Sequence, residues 1–315
     1  MNNDISAWVE SPLQLIGALE HAALTCAAGT GRTMTIVPRG GDAQLERTAS
    51  HLAERVRSDP TFDARIALDV RMMPRARFTG RSHWLVGDAF SGQFQARFDR
   101  VSPATLTIVD DGAITRLLAQ HLGAGAPMLR PRAPRLFSGM RRELATRTTR
   151  RLRELADAGH LFVTTYLGAD DEAVAQLRSV GASVTTHHFD ATRRWGERAT
   201  AVPHDARIVL GTARVADGLA DAADELQRIL ERARRGPIAY LPHRREPDWF
   251  VTAVRRLPQT IVIDARLPIE LALGGAERPL TVITGASTAA ETLPIVLRGT
   301  GSTVNTHLGV REGAQ

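Results

Sequence analysis

Short apolar runs alternate along the chain with longer stretches in which apolar residues recur at helical spacing. The runs predict buried strands at Trp8–Val9, Met34–Val37, Ala67–Met72, His83–Val86, Leu106–Val109, Leu161–Tyr166 and Ala182–His187. Between them the spacing predicts helices from Pro12, over Asp42–Arg57, up to Phe98, over Ala113–His121 and over Asp170–Val180. Ser11 is a good N-cap for the first of these, with Pro12 at the first helical position. Asp190–Asp205 carries little pattern and reads as a linker between domains. The rhythm then restarts. Strands are expected at Arg207–Leu210, Ile238–Leu241, Thr260–Ile263 and Leu280–Ile283, and helices at Leu219–Arg235, Asp248–Arg256, Pro268–Leu273 and Ala289–Val296. Alternation of this kind predicts parallel sheets covered on both faces. The expected fold is α/β, with two Rossmann-like domains, residues 1–195 and 196–315, facing each other across a cleft.

Composition narrows the chemistry. The length, 315 residues, suits two domains. No run of 18 apolar residues predicts a membrane span. The opening MNNDISAWVESP has neither the basic nor the apolar segment of a signal peptide. The single Cys26 excludes a disulfide framework and Cys-based zinc sites. A cytoplasmic protein is expected. All 40 basic side chains are arginine, for a formal charge of +6. Without lysine, a Walker A loop, a Schiff base and pyridoxal chemistry are excluded.

Several loops after strands carry candidate chemistry. Asp110-Asp111-Gly112 follows a buried strand, where a carboxylate serves as general base, metal ligand or helix cap. Asp170-Asp171 starts a helix and reads as capping alone. His243-Arg244-Arg245-Glu246 follows Ile238–Leu241 and places a titratable imidazole at a strand's carboxyl end. Gly285-Ala286-Ser287-Thr288 joins a strand to a helix with small residues, two hydroxyls and free backbone N–H groups, which suits a phosphate. It is not a serine-hydrolase elbow, because Ala289 replaces the last glycine and no Asp follows before His307. Gly211-Thr212, with Asp217-Gly218 beyond it, forms a similar loop. Glu270, in Pro268-Ile269-Glu270, suits ribose hydroxyls or the first turn of a helix. His187-His188 lacks a spaced third ligand, so no metal site is expected there. From Arg130 to Arg153 arginines crowd the chain with one acid, Glu143, among them. Arg147, Arg150 and Arg151 are expected to share a helical face, and with Arg141 and Arg142 they read as a surface for an anionic acceptor, an anionic inner membrane, or solvent alone. No nucleic-acid motif and little aromatic interleaving argue against nucleic acid.

Seven of these features fall in one order along nearly the whole chain: Ser11-Pro12-Leu13-Gln14, Gly87-Asp88, Asp110-Asp111-Gly112, Gly211-Thr212 ahead of Asp217-Gly218, His243-Arg244-Arg245-Glu246, Pro268-Ile269-Glu270 and Ser287-Thr288. In that order they resemble the bacterial sialyltransferase and polysialyltransferase families, glycosyltransferases of the GT-B type. The resemblance implies an inverting transferase that moves sialic acid or a related nonulosonic acid from a CMP-activated donor to a hydroxyl of a glycan or glycolipid acceptor. It implies no metal and no cofactor beyond the CMP-sugar. Asp110 would be the base, with Asp111 beside it, and a protonated His243 would face the donor phosphate with Ser287 and Thr288. Gly211 and Thr212 would line the donor site, and Glu270 would hold the ribose. Two positions depart from the family, which has His-Pro where this chain has His243-Arg244, and Ser-Ser where it has Ser287-Thr288. The imidazole and both hydroxyls survive these changes, while the donor sugar is left open. A donor with another nucleotide, or a non-catalytic nucleotide-sugar-binding protein, also fits the residues.

Overall fold

The computed structural model describes residues 5–25, 34–59, 66–68, 78–80, 82–110, 113–130 and 139–306. The chain forms two compact units, Met1–Ala191 and Thr192–Gln315.

The first unit is built on seven parallel strands: β1 (Ile5–Val9), β2 (Met34–Pro38), β3 (Ile66–Leu68), β4 (His83–Val86), β5 (Thr105–Val109), β6 (Leu161–Thr165) and β7 (Ser183–Thr186). Their order is β3-β2-β1-β4-β5-β6-β7. Successive elements therefore run outward from β1 to one edge, then return to its other side. Six helices belong to this unit: α1 (Pro12–Thr25), α2 (Ala43–Ser58), α3 (Gly92–Arg100), α4 (Ala113–Ala124), α5 (Gly139–Asp157) and α6 (Glu172–Ser179). Their starts follow the chemistry of the chain. Asp42 caps α2 by accepting from the N–H groups of Gln44 and Leu45, both at 2.9 Å, and Asp171 caps α6 through Ala173 N at 2.9 Å. Trp84, Phe94 and Phe98 are buried where α3 covers the sheet.

The second unit repeats the plan in fewer strands: β8 (Arg207–Leu210), β9 (Ile238–Leu241), β10 (Thr260–Val262), β11 (Thr281–Thr284) and β12 (Thr303–Thr306), ordered β10-β9-β8-β11-β12 and all parallel. Four helices belong to it, α8 (Ala222–Arg234), α9 (Asp248–Arg255), α10 (Ile269–Gly274) and α11 (Thr288–Val296). Strand alternation sends neighbouring residues to opposite faces. Ile208, Ala239 and Val282 join one core with Leu273 and Leu293. Val209, Tyr240 and Ile283 join the other with Ile229 and Phe250. A sheet buried on both faces is what the continuous apolar runs require.

Two differences from the sequence reading stand out. A short helix, α7 (Asp190–Trp195), occupies the start of the expected linker, and the division between units falls inside it. The rest of that stretch is held by the second unit, with Glu197 N donating to Leu271 O at 2.7 Å. The edge strand β12 was not expected, because Thr303–Thr306 is polar and mostly exposed and carries no apolar run.

Candidate functional site

Open α/β sheets bind ligands beyond the strand carboxyl ends, at the point where the strand order reverses. In the second unit that point lies between β8 and β11. Four sequence-predicted residues meet around it. Gly211 and Thr212 follow β8, and Ser287 and Thr288 lead into α11 after β11. A Cβ added at Gly285 would meet only the Thr212 methyl, at 3.7 Å, an ordinary contact, so the position is not crowded. Ser287 occupies the N-cap position of α11 yet makes no capping bond. Its hydroxyl instead lies 3.2 Å from Thr284 Oγ1. Ala290 N donates to Ser287 O at 3.0 Å, and the N–H groups of Thr288 and Ala289 are left to another acceptor, with the helix dipole behind them. The Thr288 hydroxyl makes no hydrogen bond among the described residues.

His243 enters from the adjacent strand, β9. Its Nδ1 accepts from Arg245 N at 3.2 Å. A backbone N–H can only donate, so the ring proton of the neutral form sits on Nε2. The sequence reading places an imidazolium on the donor phosphate, whereas in the free protein an accepting Nδ1 belongs to the neutral ring. Burial, followed by the charge of Arg244, holds the His243 pKa below its ordinary value. His243 therefore offers a neutral Nε2–H donor.

Glu246 ties these loops together, a role not read from the sequence. Its Oε1 accepts from Tyr240 Oη at 2.6 Å and from Thr212 N at 3.1 Å, and its Oε2 accepts from His243 N at 2.9 Å. Burial pushes the Glu246 carboxyl up while these bonds pull it down, and burial leads. Burial and the Glu246 charge push the Tyr240 phenol well above its ordinary value. Gly211 admits this arrangement. A Cβ there would fall on Glu246 Oε2 and lie 2.7 Å from His243 N and 2.8 Å from Tyr240 Oη. Its missing side chain thus serves the carboxylate, where the sequence reading gave it to the donor. The signal available in sequence was a glutamate three positions after His243, closing a turn in which Glu246 N donates to His243 O at 2.9 Å.

Glu270 reaches α11 one turn beyond Thr288. It is 5% exposed and accepts from Thr292 Oγ1 at 2.7 Å, joining α10 to α11.

Asp110 follows β5 in the first unit and is 2% exposed. Its backbone N–H donates to Thr164 O at 3.0 Å, and its Oδ2 accepts from the Thr165 hydroxyl at the end of β6. Thr165 Oγ1 in turn accepts from Leu167 N at 3.1 Å, which fixes the hydroxyl proton toward the carboxylate. No sequence pattern singled out Thr165. Helix α1 packs against this strand end at Gly17, where an added Cβ would make an ordinary contact with Asp110 O at 3.5 Å. Asp111 lies outside the described residues.

The reversal point of the first unit, between β1 and β4, is closed by its own side chains. A Cβ at Gly87 would fall on the Gln14 side chain, whose Oε1 accepts from Glu10 N at 2.7 Å. Glu10 also accepts from Ser91 Oγ at 2.7 Å and Arg39 Nη1 at 3.2 Å. Asp88 pairs with Arg130 at 2.8 Å.

The arginine-rich stretch is largely taken up in packing α5 on α3. Arg141 donates to Gln95 Oε1 and to Phe90 O at 2.9 Å. Arg147 holds both oxygens of Asp99, at 2.8 and 3.2 Å. Arg151 lies 4.5 Å over the Phe98 ring and donates to Phe98 O. Arg150 instead pairs with Glu154 at 3.7 Å along the exposed side. Arg147, Arg150 and Arg151 thus do not form one anion-facing surface, and Arg142 and Arg150 are the exposed members of the set. Among the described residues no helix is long and apolar enough to cross a membrane, and no group of three His, Cys, Asp or Glu side chains is placed to hold a metal.

No family model and no curated protein matches the chain in sequence. Solved structures match it in fold. UGT2 of Phytolacca americana, complexed with UDP-2-fluoro-glucose and pterostilbene, is similar with a TM-score of 0.50 at 10% identity, over 96% of this chain and 80% of that one. A provisionally named UDP-N-acetylglucosamine 2-epimerase from Listeria monocytogenes is similar with a TM-score of 0.52 at 14% identity, over 97% and 79%. The 2,6-sialyltransferase of Vibrionaceae Photobacterium sp. JT-ISH-224, in complex with CMP and lactose, is similar with a TM-score of 0.51 at 10% identity, over 96% and 70%. The chain has the fold of the GT-B type, with two Rossmann-like parallel-sheet units. That likeness extends equally to three differently named proteins and does not single out sialyltransferases.

Proposed function

We propose that the chain is an inverting, nucleotide-sugar-dependent glycosyltransferase whose donor is a CMP-activated sialic acid or related nonulosonic acid. The observation that carries this reading is the reversal point of the second unit. There Thr212 follows β8, His243 follows the adjacent β9, and Ser287 and Thr288 open α11 after β11 with no side-chain cap on its first N–H groups, and these groups are the ones assigned to the donor phosphate. The ordered motif set supports the CMP-sugar in particular.

In this reading the second unit holds the donor phosphate. As the bond from the anomeric carbon to the phosphate oxygen breaks, its electron pair stays with the nucleotide. The Nε2–H of His243, the hydroxyls and the N–H groups of α11 meet that charge without rearrangement. The approaching phosphate also favours a second proton on His243, against the burial that keeps it neutral beforehand. Asp110 takes the proton of the acceptor hydroxyl, typically ~10²–10⁴-fold in rate. Thr165 orients the carboxylate for that transfer. The acceptor oxygen bonds to the anomeric carbon from the face opposite the leaving phosphate, which inverts it. Glu270 is assigned to the ribose on the resemblance alone. The acceptor is a glycan or glycolipid hydroxyl, and Arg142, Arg150 and Arg153 are the exposed arginines of α5 assigned to an anionic acceptor or membrane surface.

A UDP-sugar donor is the second reading, favoured by the equally good fold match to a structure holding a UDP-sugar. A thermal-shift series with CMP, UDP and GDP separates the two. CMP alone raising the midpoint supports the CMP-sugar, and UDP alone supports the alternative. Transfer and donor hydrolysis assayed in Asp110→Asn and His243→Ala then test the roles. Full activity in either folded variant removes its assignment.

A further inference from the structure

We infer that Glu246 is a positioning residue, whose buried carboxylate holds the loop after β8 and the turn after β9 as one body and so sets His243 against Thr212. The inference deepens the proposed function and rests on it only for the identity of the ligand.

A carboxylate buried to 8% exposure, with no ion pair among the described residues, is costly unless its oxygens are hydrogen-bonded. Glu246 meets that condition with three neutral donors from separate places: the phenol of Tyr240 within β9, the amide of Thr212 after β8, and the amide of His243 after β9. Thr212 is 34 positions away in sequence. Only an acceptor-only group takes all three. A glutamine turns an NH₂ toward at least one donor, and an aspartate is one methylene too short to span them. A hydrophobic residue would fill the space and leave two loop amides unpaired. Gly211 adds independent support, because its empty side-chain position is occupied by the Glu246 carboxylate, His243 N and Tyr240 Oη together. The neighbouring loop is tied in as well, through Arg245 to Asp217. The Thr212 methyl lies 3.7 Å from the side-chain position of Gly285 and His243 Nε2 makes no hydrogen bond among the described residues, while the backbone N–H groups of both residues are held by Glu246.

Native-state amide exchange on the full chain tests this without any ligand. The Thr212 and His243 amides are expected to be strongly protected in the wild type. Their exchange at the rate of an exposed loop overturns the inference, whatever the variants do. In Glu246→Gln both amides should exchange at least about tenfold faster. The His243 ring, followed by NMR, should titrate closer to the ordinary imidazole value as its turn opens. Tyr240→Phe removes the donor on the strand but leaves both loop bonds. It should lose thermal stability while keeping both amides protected and His243 unshifted. A folded Glu246→Gln that behaves like Tyr240→Phe overturns the inference. With CMP or UDP as probe, affinity should fall about tenfold or more in Glu246→Gln and hold in Tyr240→Phe. Protected wild-type amides with no affinity for either nucleotide would count against the proposed function and not against the positioning role.

Discussion

In the first unit Glu10 gathers the Ser91 hydroxyl and the Arg39 guanidinium, and Gln14 lies where a side chain at Gly87 would go. At the corresponding place in the second unit Glu246 gathers backbone amides, and a side chain at Gly285 would meet only a methyl at 3.7 Å. The strand orders match around the two points. One glutamate uses side chains as partners and the space closes. The other takes two loop amides and the Tyr240 phenol, and the Thr288 hydroxyl and the His243 Nε2 are left without a hydrogen bond among the described residues. Topology thus makes two places fit for an anion, and side-chain chemistry finishes one of them. By this account nucleotide binding belongs to the second unit and proton abstraction to the first.

The sharpest way to break that division is Asp110→Asn. Transfer should fall ~10²–10⁴-fold with nucleotide affinity unchanged, as read by initial rates alongside calorimetric titration. A parallel loss of nucleotide affinity would put both functions in one unit.

Acid should also separate the units. His187 in the first unit is buried with an unpartnered Nδ1, and burial, followed by the charges of His188 and His21, holds its pKa down to about 3. The unfolded chain binds this proton near the ordinary 6.5. Stability is therefore unaffected by this group above about pH 6.5 and falls as pH drops toward 3, by roughly 5 kcal/mol in all. His243 is also depressed but only half-buried. Denaturation followed against pH should show the first unit weakening more steeply, and His187→Gln should flatten that slope.

The glycines give a third contrast. Gly211→Ala places a methyl on the Glu246 carboxylate and should cost about 3 kcal/mol from overpacking and broken bonds. Gly285→Ala makes an ordinary contact and should stay within about 0.5 kcal/mol. Equal costs in chemical denaturation would mean that the two positions are equally crowded.

The smallest effects concern α5. Arg151→Ala loses the Phe98 ring and carbonyl contacts and should cost about 1 kcal/mol. Arg150→Ala on the exposed side should change stability by less than about 0.5 kcal/mol. Thermal midpoints of the two variants check this ordering.

The strands and helices that position these groups were legible because a strand buried on both faces must be apolar throughout. Ile238–Leu241 and Leu106–Val109 announce themselves in that way, and so do the loops after them. What was not legible depends on contacts between distant residues. Gly211 reads as a ligand glycine until Glu246 is seen to occupy its side-chain space. The arginines of α5 read as an anionic surface until Asp99, Gln95 and the carbonyls of α3 and its approach are seen to engage three of them. Thr165 follows no period and carries no motif, yet its hydroxyl is the group on Asp110. The short α7 and the polar edge strand β12 lack the apolar patterns by which elements are found.

Amide exchange with and without saturating CMP or UDP tests the central claim most directly. The account predicts new protection at residues 211–212, 243 and 285–290 of the second unit, with residues 10–14 and 87–91 of the first unchanged. Protection confined to residues 10–14 and 87–91, or none in either unit, would contradict it.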